Sequence, residues 1–99
     1  MPKTPRIDPV RQWSERHAHH QLHIAEAGDG RLWLRVEDLR QWMPGLARDA
    51  VLLQRHPGML RLVDASPSLY LEAGTFAWIS QKSSHVATLK LRTWLESHV

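Results

Sequence analysis

The chain has no cysteine among its 99 residues. That absence excludes disulfide scaffolds, thiol catalysis and cysteine-based zinc sites. No apolar run approaches the length of a membrane-crossing helix, and the opening MPKTPRIDP lacks the apolar core of a signal peptide. A soluble cytoplasmic protein with no membrane partner is therefore expected. No G-x-x-x-x-G-K-[ST] or G-x-G-x-x-G phosphate loop is present, and no G-x-S-x-G elbow frames a serine. Glu37 and Asp38 form the one conspicuous carboxylate pair, at a helix start where dipole compensation explains them. The expectation is a protein that is not an enzyme, with no catalytic residue and no cofactor. No internal repeat is visible.

What is present is ordinary for a folded chain. Hydrophobic residues make up 42% and charged residues 23%, which suits one globular domain. The formal net charge is +3, with seven histidines uncounted. The first thirty residues are neutral. The surplus lies in residues 31–99, where nine Lys/Arg face six Asp/Glu. A mild basic surplus suits a polyanionic partner and a plain solvated surface equally.

Residues 1–20 read as an N-terminal arm. Pro2, Pro5 and Pro9 make the first ten residues a mobile segment. The polar RQWSERHAHH that follows reads as one or two helical turns or as more arm. Residues 21–26 and 31–35 alternate in polarity around Gly28-Asp29-Gly30, which predicts a hairpin. Leu22 and Ile24 fall on one face, His23 and Ala25 on the other. Val36, Leu39 and Met43, with Trp42 alongside, are at helical spacing up to Pro44-Gly45. A second short helix is expected over residues 46–56, with Leu46, Ala50 and Leu53 on its apolar stripe. Short strands are expected at 59–63 and 69–71. Two closing helices follow, one with Ala73, Phe76, Ala77 and Ile79 inward, the other with Ala87, Leu91, Trp94 and Leu95 inward. The fold class is α+β: a small antiparallel sheet with the hairpin, packed against three to four helices.

Two separated motifs carry a family resemblance. Gly30, Trp33, Leu34, Asp38 and Leu39 match a pattern like G-x-x-W-F-x-x-x-D-V. Leu69, Glu72, Gly74, Phe76, Leu91, Trp94 and Leu95 match a closing pattern of helix, loop and helix. In this order and spacing, residues 21–99 resemble the BRO-N domain of phage antirepressors and baculovirus proteins. The resemblance implies DNA binding and transcription regulation in a bacterial, phage-derived or mobile element. The alternative is an antirepressor-like or inhibitory module that binds a regulatory protein and not DNA. Where the family's connecting loop is richly basic, this chain has only Lys82. A homodimer is expected because one small +3 domain grips DNA weakly.

The candidate nucleic-acid-binding residues are Lys82, Lys90, Arg92, Arg55, Arg61 and Arg35. A solvated polar face is the bland reading of the same charges. Trp13, Trp42 and Trp78 are the candidate partner-binding residues, against simple packing. Trp33 and Trp94 read as core. His17, His19, His20 and His23 form the only cluster with metal-like spacing. No carboxylate motif accompanies it, and His23 falls in an expected strand, so no metal is assigned.

Overall fold

The structure, a computed structural model, describes residues 4–17, 20–63, 68–81 and 93. It has the expected α+β arrangement. In chain order come β1 (Arg11–His17), β2 (His20–Glu26), β3 (Leu32–Arg35), α1 (Val36–Trp42), α2 (Asp49–Arg55), β4 (Leu60–Val63), β5 (Ser68–Glu72) and α3 (Ala73–Ser80). The strands form one antiparallel sheet in the order β1-β2-β3-β5-β4.

The central hairpin follows from its turn chemistry. Gly30 adopts φ 88°, a left-handed value that favours glycine. Asp29 Oδ1 accepts the Arg31 N–H at 3.0 Å, and the Ala27 N–H reaches the Arg31 carbonyl at 2.9 Å. Ile24 then pairs with Leu34, and Ala25 with Trp33. Helix α1 buries Val36, Leu39 and Trp42, three and six residues apart along one face. It ends at Met43, just before Pro44. Helix α3 is capped by Glu72, whose carboxylate accepts the Thr75 N–H at 2.6 Å and its hydroxyl at 3.0 Å.

Both faces of the sheet carry a core. On one face Leu22, Ile24, Leu34, Leu60 and Leu71 pack with Val36, Leu39, Trp42, Leu52 and Phe76 from the helices. On the other, Ala25, Trp33, Val63 and Tyr70 pack with Ile7 and Ala27. The second core explains why Ala25 is buried, although alternation had put it on the outer face.

Three expectations are corrected. The arm assigned to the first ten residues is a strap from residue 5 onward. The Ile7 N–H donates to Leu62 O at 3.1 Å, the Leu62 N–H to Pro5 O at 2.9 Å, and the Val10 N–H to Glu26 O at 2.8 Å. Proline lacks an N–H, but its carbonyl still bonds, and Ile7 supplies the apolar anchor. The helical turns or arm expected for RQWSERHAHH are strand β1 over Arg11–His17. A polar stretch pairs readily when one face is left to water. The stripe of the second helix is also shifted. Leu46 and Leu52 are buried while Ala50 and Leu53 are exposed. The helix begins only at Asp49, so Leu46 is buried from the preceding loop and Leu52 takes the inward face of the shorter helix. Arg40 donates across that loop to Ala47 O at 2.9 Å and Asp49 Oδ1 at 2.7 Å. The last expected helix, around Ala87 to Leu95, lies outside the described residues except for Thr93, which is helical.

Candidate nucleic-acid interface

Strands β1 and β2 pair along their whole length, from Arg11↔Glu26 to His17↔His20. Strand β3 accompanies only Ile24, Ala25 and Glu26. The two-stranded ribbon therefore continues past β3, whose chain turns into α1 at Val36. That turn would strand the amide of His23, and Asp38 takes it. One Asp38 carboxylate oxygen accepts the His23 N–H at 2.8 Å and lies 2.8 Å from the His23 Nδ1, and the other accepts Arg35 Nη2 at 2.7 Å. Asp38 is 6% exposed, and these contacts compensate its burial. Its hydrogen bond raises the Arg35 guanidinium above its ordinary value, burial opposes the shift, and the Asp38 charge adds to the rise. The root of the ribbon is thus held by an ion-paired, hydrogen-bonded cluster.

Directly opposed residues share a sheet face, so the ribbon has two distinct sides. Gln12, Ser14 and Arg16 from β1 share one side with Gln21 and His23 from β2. Gln12, Ser14, Arg16 and Gln21 are all exposed, and Gln21 Nε2 donates to Ser14 Oγ at 3.0 Å. The other side carries Arg11, Trp13 and Glu15. The Arg11 guanidinium lies 4.2 Å from the Trp13 ring centroid and pairs with Glu26 at 3.0 Å. Trp13 Nε1 donates to Glu15 at 3.2 Å. His20 meets the Trp42 ring edge-on at 5.0 Å between centroids.

The residues singled out from sequence fare unequally. Arg35 and Arg61 stand opposite Tyr70 from either side in one cross-strand row, yet both are engaged internally. Arg35 pairs with Asp38. Arg61 donates from Nη1 to Gly58 O at 2.7 Å and Leu60 O at 2.9 Å, and its guanidinium lies 4.9 Å from the Trp33 ring centroid. Arg55 is exposed at the end of α2. Lys82, Lys90 and Arg92 lie outside the described residues. Among the tryptophans, Trp42 is corrected from partner contact to core, with no exposed surface. Its phase on α1 puts it over β2. Trp13 is half-buried against the main core. Trp78 is 56% exposed and meets His56 edge-on at 6.1 Å. It lines an open hollow of about 320 Å³ with His56, Met59, Glu72, Gly74 and Thr75.

The polar ribbon face was missed from sequence, although every second residue of QWSER already displays it. The pairing of His23 with Asp38 spans fifteen positions and has no local signature. Of the histidine cluster, His19 lies outside the described residues and His23 is engaged with Asp38. No group of three or more metal-ligating side chains occurs among the described residues. No helix among them is long and apolar enough to cross a membrane. No family model, curated protein or solved structure matches the chain.

Proposed function

We propose that this protein binds duplex DNA through the polar face of the β1–β2 ribbon and acts as a small cytoplasmic regulator of transcription. One observation carries the reading: Gln12, Ser14, Arg16 and Gln21, four exposed hydrogen-bonding side chains, share one side of a two-stranded ribbon. The major groove of B-DNA admits such a ribbon. Arginine and glutamine can hydrogen-bond guanine and adenine edges there, while arginine and serine also serve phosphates. The BRO-N resemblance and the +3 charge agree with this partner.

The test is fluorescence anisotropy of labelled duplex DNA at low and moderate salt. Binding that weakens with salt is expected. Arg16→Ala lowers affinity by about fivefold to a hundredfold, corresponding to 1–3 kcal/mol for a lost base or phosphate contact. A Lys82/Lys90/Arg92 triple alanine variant reports on the basic residues nearer the C-terminus. Absence of binding even at low salt would sink the reading.

The exposed Trp78 beside its hollow favours a second reading. Exposed aromatics with neighbouring apolar surface are frequent protein-contact sites, and the partner would then be a regulatory protein. Trp78→Ala would abolish capture of that partner and leave DNA affinity unchanged.

A further inference from the structure

The two edges of the sheet are not equivalent. The β4 edge is covered: the chain around Arg6 bridges Leu62 in parallel. The β1 edge has no strand beyond it among the described residues. Long open edges invite another strand, and proteins commonly blunt them with proline, charged side chains, bulges or short length. Strand β1 runs seven residues without proline, and its charges, Arg11, Glu15 and Arg16, are of both signs, so that a partner strand in the right register meets Arg11 and Glu15 with opposite charge.

We propose that a second copy of this chain pairs with β1, antiparallel about a two-fold axis at Trp13. In this register Arg11 of each copy faces Glu15 of the other, Gln12 faces Ser14, and the two Trp13 side chains meet. Two opposite-charge pairs flank an aromatic pair, all on the side that carries Arg11, Trp13 and Glu15. Neighbouring registers are poorer. An axis at Glu15 opposes two carboxylates, and one at Arg11 opposes two guanidinium groups. An axis at Ser14 leaves Arg16 facing Gln12. The Trp13 register makes one continuous sheet across both copies and brings the two polar faces of Gln12, Ser14 and Arg16 side by side. The dimer does not depend on DNA binding, and its test contains no DNA.

Sedimentation equilibrium of the full chain up to high micromolar concentration is the experiment. The wild type shows a monomer–dimer equilibrium. Glu15→Arg alone and Arg11→Glu alone are each monomeric, because each puts like charges opposite one another. An equimolar mixture of the two variants regains the dimer, since every position 11 then faces a complementary position 15. Circular dichroism confirms that each variant is folded. A wild type that stays monomeric, a Glu15→Arg variant that still dimerises, or folded variants whose mixture stays monomeric would each overturn the proposal.

Discussion

The β4 edge, covered by the chain around Arg6, and the β1 edge, which has no strand beyond it among the described residues, use backbone in opposite ways. At β4, the amide and carbonyl of Leu62 are satisfied by residues 5–7, and Ile7 packs against the second core of Ala25, Trp33, Val63 and Tyr70. At β1, no strand lies beyond it among the described residues, and one side carries the exposed Gln12, Ser14 and Arg16 while the other carries Arg11, Trp13 and Glu15. The N-terminal segment is therefore a structural strap, and the next segment pairs on one side only among the described strands. Polarity alone does not separate these roles, because both segments are rich in charge. What separates them is the face each anchors to, Ile7 against the second core and Trp13 against the main one, and the strand each bonds, β4 for residues 5–7 and β2 for β1.

The largest expected effect is at the root of the β1 edge. Asp38→Ala removes the partner of the part-buried His23 amide and of the Arg35 guanidinium, and should cost about 3 kcal/mol, at the low end for breaking a buried ion pair. Thermal melting should then fall by roughly 4–8 °C for each kcal/mol lost. A change under one kcal/mol would mean that the ribbon does not depend on this cluster. Next comes the covered edge. Ile7→Ala empties the half-buried contact under Trp33 and should cost about 2 kcal/mol, near the low end for an isoleucine truncation. Urea denaturation checks it, and an unchanged midpoint would show that the strap contributes nothing. At the β1 edge, Arg16→Ala should leave stability within about 0.5 kcal/mol, as for other surface substitutions, while DNA affinity falls. A stability loss larger than the affinity loss would invert the comparison. Glu15→Arg should be smallest in stability and visible only in the association state.

Much of the fold was legible because short-range rules decided it. Gly28-Asp29-Gly30 marked the central hairpin. Val36, Leu39 and Trp42 marked α1, and Phe76 with Ala73 marked the inner side of α3. The parts that escaped depend on distant partners. Strand β1 carries one large apolar residue, Trp13, so its alternation looked like a polar arm until β2 lay beside it. Ala25 is buried in a second core to which Ile7, eighteen positions away, contributes. The α2 stripe turned because the helix begins at Asp49, leaving Leu46 in the loop before it and Leu52 to face the core. The site was less legible than the fold. Arginine content pointed to Arg35 and Arg61, but those side chains serve Asp38 and the β4 backbone. The hydrogen-bonding side chains left on an open surface, Gln12, Ser14 and Gln21, carry no charge to draw attention.

The most direct test of the ribbon as the DNA-contacting face is amide and indole NMR of the full chain, titrated with a short DNA duplex at low salt. The Gln12, Ser14, Arg16 and Gln21 amides should shift together while the Trp78 indole and the His56 amide stay still. Shifts centred on Trp78 and His56, with an unmoved ribbon, would contradict it.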